Sequence, residues 1–294
     1  MSSCRTDTLN NSLAKASRML SASPTPRLDA ELLLAHVLDK PRSYFFTWPE
    51  ALLTSEQMTQ FLKLIDLRKA GQPIAYLTGQ REFWSLQLKV TEATLIPRPD
   101  TELLVELALG LALNRERSQD QNTESKTKVA DLGTGTGAIA LALAKERPDW
   151  EVTAIDKSPD ALAVAAENAV INDIRNTVFI EGSWCSPLVK SSMDMIVSNP
   201  PYICSNDPHL KEGDVRYEPL SALVSGVDGL DDIRVIAEQS LQSLKPGGWI
   251  LLEHGYDQGC PVQTILSQAG FRQIRTETDL AGHDRVTLAH KPAA

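Results

Sequence analysis

Long apolar runs are missing from this 294-residue sequence. None approaches the roughly 18–20 residues that span a bilayer, so no membrane-crossing helix is expected. Closely spaced cysteines are missing as well. Cys4, Cys185, Cys204 and Cys260 lie far apart with no C-x-x-C pair, which argues against a zinc site or disulfide framework and for reduced thiols. Positive charge is in short supply: 29 Lys plus Arg stand against 38 Asp plus Glu, a formal net of -9. A protein that lives on a phosphate backbone takes most of its affinity from a basic face, so direct nucleic-acid binding is not expected. The opening residues Met1-Ser-Ser-Cys-Arg-Thr-Asp lack the basic and apolar regions of a secretion signal, and the expected setting is cytoplasmic. Residues 114–128 contain no apolar side chain and predict a mobile surface loop.

What is present is a globular composition, 42% apolar, on a chain long enough for one large domain or two ordinary ones. Residues 1–75 have helical spacing. Leu9, Leu13, Ala16 and Leu20 recur on one face, and Leu28 to Leu38 follows Pro24 and Pro26, which suit a helix start. Thr54 with Gln57 three residues on is a capping-box pattern for a third helix ending near Gly71. Three or four short helices would make a bundle. Residues 76–100 change character: Phe83 to Val90 alternates as a strand does, which predicts a hairpin or extended connector. A helix is expected from about Asp100 to Leu113. From Val129 onward strands and helices alternate, so residues 101–294 predict an α/β domain with a mainly parallel sheet covered on both faces. Ligands in such sheets bind beyond the carboxyl ends of the strands.

Two motifs fall at those ends. Asp131-Leu-Gly-Thr-Gly-Thr-Gly-Ala turns from the domain's first strand into its first helix. Glycines there let the backbone turn tightly and a ligand approach closely. Asp156 ends the next strand, where its carboxylate can accept from both hydroxyls of a ribose. Gly133-x-Gly135-x-x-Ala138 also satisfies the relaxed dinucleotide pattern, which leaves a nicotinamide dehydrogenase open at this point.

Asn199-Pro200-Pro201-Tyr202, after the domain's fourth strand, narrows the choice. An amide nitrogen is a poor nucleophile because its lone pair is delocalised into the carbonyl. Methyl transfer to it needs acceptors that grip its hydrogens and favour positive charge developing on nitrogen during in-line attack. Asn199 offers a side-chain carbonyl and Pro200 a backbone carbonyl. The two prolines restrict φ and bias Asn199 away from helical geometry. Tyr202 offers a flat ring to a planar group. No general base is required, because the proton becomes acidic once nitrogen carries the methyl.

Asn-Pro-Pro-Tyr in this position resembles the amino-methyltransferases acting on DNA adenine, RNA or protein glutamine. Ile96-Pro-Arg-Pro-Asp-Thr-Glu, Asp131-Leu-Gly-Thr-Gly-Thr-Gly, Ser198-Asn-Pro-Pro-Tyr-Ile, Glu218-Pro-Leu-Ser-Ala-Leu and Leu252-Glu-His-Gly, with the amino-terminal bundle, resemble the HemK-type release-factor glutamine methyltransferases over essentially the whole chain. The resemblance implies a Rossmann-like, seven-stranded class I methyltransferase fold and S-adenosylmethionine as methyl donor. The implied substrate is the glutamine of the Gly-Gly-Gln tip of class I peptide-chain release factors. It further implies that Gly133, Thr134, Gly135, Thr136 and Gly137 enclose the methionine part of the cofactor. Asp156 would hold its ribose, Trp184 would stack near its adenine, and Asn199 to Tyr202 would clamp the glutamine amide, Asn199 bordering the cofactor as well. The alternative is an adenine N6-methyltransferase acting on nucleic acid, which would be expected to carry a basic target-reading region. A protein that binds S-adenosylmethionine without turnover would not need an intact Asn199-Pro-Pro-Tyr. A monomer is expected.

Other residues invite roles. His36, Trp48 and Phe61 are expected in the bundle core. His209 is expected to be a solvated loop residue, since the chemistry needs no base, and Cys204 to lie beyond the pocket. Arg98 either faces substrate or cofactor carboxylate or braces the hairpin. Glu218 is expected to organise the loop over the site.

Overall fold

In the computed structural model, which describes residues 7–118 and 126–293, the chain divides into two units. One comprises Met1–Gln80 and His209–Tyr217, the other Arg81–Pro208 and Glu218–Ala294. Residues 76–100, expected as a connector, are thus shared between the units at Gln80/Arg81. Among the described residues no helix is long and apolar enough to cross a membrane.

The first unit contains α1 (Leu9–Met19), α2 (Pro26–Leu38), α3 (Ser43–Thr47), α4 (Ser55–Lys69) and α5 (Ile74–Thr78). Thr54 and Gln57 form the expected reciprocal capping box at the start of α4, satisfying two backbone donors the helix cannot. Leu9, Leu13 and Ala16 pack with Leu33, Leu34, Phe61 and Ile65 as one core. His36 is exposed, contrary to expectation, and so is Trp48. Helix α2 is apolar around most of its circumference, so periodicity cannot say which side turns inward. The inward side carries Ala30, Leu33 and Leu34. In α3 the buried aromatic is Phe45 rather than the following Trp48. The 209–217 segment is held by α4 and its end: Asp214 Oδ1 accepts from Arg68 Nη1 at 2.8 Å, and the Tyr217 hydroxyl donates to the Ala70 carbonyl at 2.8 Å.

The second unit begins with a hairpin, β1 (Gln80–Phe83) and β2 (Leu86–Lys89). Trp84 and Ser85 between them both have left-handed φ, the geometry of a two-residue turn whose twist matches the strands. A 3₁₀ turn, Pro99–Thr101, leads into α6 (Glu102–Ser118). There follow β3 (Lys128–Leu132), α7 (Ala138–Glu146), β4 (Glu151–Asp156), α8 (Pro159–Ile171), β5 (Thr177–Glu181), β6 (Met193–Ser198), α9 (Asp231–Ser243), β7 (Leu244–Glu253), α10 (Gly259–Ala269), β8 (Arg272–Thr278) and β9 (Asp284–His290). The expected loop at 114–128 is shorter than its composition suggested. Helix α6 runs on to Ser118 and β3 starts at Lys128, while residues 119–125 lie outside the described residues.

Strands β3 to β9 form one seven-stranded sheet in the order β5-β4-β3-β6-β7-β9-β8. The first five are mutually parallel and β9 is antiparallel to both neighbours. Side chains alternate between two apolar layers: Val129, Met195, Val197 and Leu251 on one, Ala130, Leu132, Ile196, Ile250 and Leu252 on the other. Strand order reverses at β3, where β4 lies to one side and β6 to the other, and a sheet opens a crevice at that switch point.

Candidate active site

At the carboxyl end of β3 the chain leaves the sheet through Gly133 and Thr134, whose N–H groups both donate to the Ile155 carbonyl on β4, at 2.8 and 2.9 Å. Asp131 anchors the turn from below. Its Oδ2 accepts from the Thr134 hydroxyl at 2.6 Å and from Ala140 N at 3.2 Å. Burial pushes its carboxyl up to about 7, and the nearby Asp156 charge adds to the shift.

Gly135 has φ +55, and nothing lies within 4 Å of where its Cβ would be, so the turn presents bare backbone to open space. Asp156 closes the far side. Its Oδ2 accepts from Gly135 N and its Oδ1 from Ser158 N, both at 2.9 Å. Each oxygen keeps acceptor capacity for a further donor.

These groups border one cavity. Gly133, Thr134, Gly135, Thr136, Asp156, Trp184, Asn199 and Pro201 all line it. Three residues of the expected set do not. Gly137 caps α7 with φ +82, and its Cβ position is crowded by Leu141 and Ala165. Pro200 is buried beneath the motif, and Tyr202 lies off the cavity wall. Burial, and then the Glu253 charge, hold the Tyr202 hydroxyl well above the ordinary phenol range. The Trp184 ring lies against the Gly133 backbone: a Cβ there would meet ring atoms at 3.2 and 3.7 Å.

Sequence reasoning missed the lining contributed by Ala93, Thr94, Leu95, Pro97 and Thr101 and by Ser221 and Ala222. The signal was available in Ile96-Pro-Arg-Pro-Asp-Thr-Glu and Glu218-Pro-Leu-Ser-Ala-Leu, motifs with no assigned chemistry. They are joined by an ion pair between Arg98 and the buried Glu218, and Ile96 N donates to Glu218 Oε2 at 3.4 Å. Arg98 therefore both braces the segment and faces the cavity. Cys204 is half-buried and not in the wall, and His209 is exposed in the first unit.

The residues fit S-adenosylmethionine. Bare backbone at Gly135 leaves room where a side chain would intrude, Asp156 can take two hydroxyl donors, and Trp184 offers a ring. This sheet order, with the glycine turn and Asp156 lining a crevice at its switch point and an Asn-Pro-Pro-Tyr turn on the rim, defines a methyltransferase that draws its methyl group from S-adenosylmethionine. Comparison with known proteins agrees. Residues 11–79 match the model described as PrmC N-terminal domain, and residues 118–211 that of the Methyltransferase small domain. A release factor glutamine methyltransferase of Vibrio cholerae is 53% identical over 284 residues, 96% of each chain. One of Escherichia coli is 49% identical, covering 94% of this chain and 96% of its own. A methyltransferase structure from Pyrococcus furiosus, 16% identical, shares the fold with a TM-score of 0.50 over 79% of this chain and 98% of that one. The chain belongs to the release factor glutamine methyltransferase family. These relatives do not favour the adenine alternative.

Proposed function

We propose that the protein methylates the side-chain amide nitrogen (N5) of the glutamine in the Gly-Gly-Gln motif of class I peptide-chain release factors, acting as a cytoplasmic monomer without direct contact to nucleic acid. One observation carries the reading: Asn199 and Pro201 border the same cavity as the glycine turn and Asp156, so an acceptor amide and a methyl donor can meet there. S-adenosylmethionine supplies an electrophilic methyl on a sulfonium. The Asp156 carboxylate would accept from ribose hydroxyls, the turn from Gly133 to Thr136, anchored by Gly137, would enclose the methionine part, and Trp184 would offer its ring to the base. Asn199 Oδ1 and the Pro200 carbonyl accept the two hydrogens of the glutamine amide, turning its lone pair toward the donor and stabilising charge that develops on nitrogen. Tyr202 lies off the wall of the cavity, and its ring would meet the planar amide at the rim, where the glutamine enters. The proton released after transfer is acidic enough to leave to water.

The test is labelled S-adenosylmethionine with a purified class I release factor. Label is expected in the protein, resistant to nuclease, and absent when the Gly-Gly-Gln glutamine is changed to alanine. Label in RNA or DNA from a cell extract would overturn the assignment.

A further inference from the structure

Two of the sequence motifs, Ile96-Pro-Arg-Pro-Asp-Thr-Glu and Leu252-Glu-His-Gly, meet beneath Asn199. The register of the sheet brings this about. Ser198 on β6 pairs with Leu252 on β7, so the next residues, Asn199 and Glu253, emerge side by side at the carboxyl edge. Thr101, at the end of the 3₁₀ turn, bridges them. Asn199 Nδ2 donates to Thr101 Oγ1 at 3.1 Å, and Thr101 is also hydrogen-bonded through its side chain to Glu253.

The chemistry of the three groups sets the direction of the chain. A carboxyl oxygen that carries no proton can only accept, a hydroxyl has one proton, and a primary amide has a donor end and an acceptor end. With its proton given to Glu253, Thr101 can present only a lone pair to Asn199. The amide must then turn its NH₂ to Thr101 and its carbonyl away. A reversed Asn199 would offer hydrogens to the hydrogens of a substrate amide. Glu253 is almost wholly buried, and its Oε2 has no hydrogen-bond partner among the described residues. An acid kept in the interior with one oxygen unpartnered calls for a purpose beyond stability.

We infer that Thr101 and Glu253 are positioning residues that fix the orientation of the Asn199 amide, so that its carbonyl rather than its NH₂ faces the methyl acceptor. This rests on the reading of Asn199 as the acceptor of the substrate amide. Neither Thr101 nor Glu253 takes part in the transfer itself.

The experiment compares Thr101→Ser, Thr101→Ala and Asn199→Ala in the full chain, assayed with a class I release factor and S-adenosylmethionine. The two Thr101 variants lack the same methyl group and differ from each other only in the hydroxyl. The expected result is that Thr101→Ser keeps kcat within about threefold of the parent. Thr101→Ala should lose about ten- to a hundredfold in kcat with little change in KM, the size of a misplacement at a reacting centre. Calorimetric affinity for S-adenosylmethionine should match between the two, which excludes a collapsed site, whereas the melting temperature of Thr101→Ala should be the lower, because the buried Glu253 carboxyl loses its hydroxyl partner. Thr101→Ala as active as Thr101→Ser would overturn the orienting role. So would a loss that appears only in KM or in cofactor affinity. Asn199→Ala separates the two levels: unchanged turnover there would sink the amide clamp itself. A large loss at Asn199 beside equal activity of the two Thr101 variants would leave the clamp standing and remove the relay alone.

Discussion

Asn199 lies at the cavity wall with one end of its amide already engaged, so replacing it should affect the barrier more than the binding. Asn199→Ala is expected to lower kcat by about a hundred- to a thousandfold, the cost of one preorganised polar group, while calorimetric affinity for S-adenosylmethionine stays close to that of the parent. Tyr202→Phe should be mild, because the ring remains and its hydroxyl is held in the neutral form. Asp156→Ala should show the opposite pattern, weakening cofactor binding by about 1.5–3 kcal/mol through lost charge-assisted hydrogen bonds, read as a higher dissociation constant. The buried acids give a separate signature. Burial holds Asp131 and Glu253 at about 7, above their unfolded values, so each is neutral in the folded chain where the unfolded chain would ionise it. Unfolding then releases protons, and the stability these groups contribute is lost as pH rises through about 7. His254, depressed by burial, works in the reverse sense but only below its ordinary value near 6.5, and the carboxylates held low titrate in more acid solution. From about pH 4.5 to 7 these two acids should therefore lower the melting temperature of the ligand-free protein as pH rises, against the opposite trend of His254 below about 6.5, and their effect should level off above about 7. Asp131→Asn should flatten that slope; an equal slope in the variant would reject the assignment.

The turn between β3 and α7 shows how one element divides its glycines between ligand and fold. Gly135 faces open space with φ +55, whereas Gly137, at φ +82, has Leu141 and Ala165 where a Cβ would go. Alanine at 137 should cost about 1–2 kcal/mol from left-handed strain, plus crowding, and lower the melting temperature. Alanine at 135 carries the same backbone strain without the crowding, and adds a methyl group on the cofactor side. Its larger effect should be on the dissociation constant. Equal melting temperatures for the two variants would contradict this division. Both glycines were visible in the sequence, but their different surroundings were not, since those depend on α8 packing against the turn. Strand and helix alternation from Val129 to His290 was legible because each strand is a short apolar run between turn residues. Helix α2 hid its orientation because it is apolar on nearly every side, which is why His36 was misplaced. Helix α6 overran its expected end because Arg115, Glu116 and Arg117 are good helix formers even though they carry no apolar pattern. The wall from Ala93 to Thr101 escaped because no periodic signal marks an extended segment that follows a cavity.

At the scale of the molecule, every cavity-lining residue belongs to the second unit. Deleting residues 1–80 should thus leave S-adenosylmethionine binding measurable by calorimetry while methylation of a whole release factor falls steeply; full activity would deny the bundle any part in holding the partner. Within the first unit, Arg68 joins Asp29 on α2 to Asp214, with little of any side chain but that of Asp214 exposed. Arg68→Ala should cost about 3 kcal/mol by leaving the buried Asp29 carboxylate only the Ser23 and Thr25 hydroxyls, and hydrogen exchange should quicken at 209–217. That segment also has a consequence for synthesis. The helical unit is built from two stretches of chain, one ending at Gln80 and the other at Tyr217. A ribosome adding about 5–20 residues per second needs roughly 7 to 27 s to pass from the first to the second. Throughout that interval the nascent bundle waits for its last piece, so it completes only after β6 and the turn carrying Asn199 have also been made.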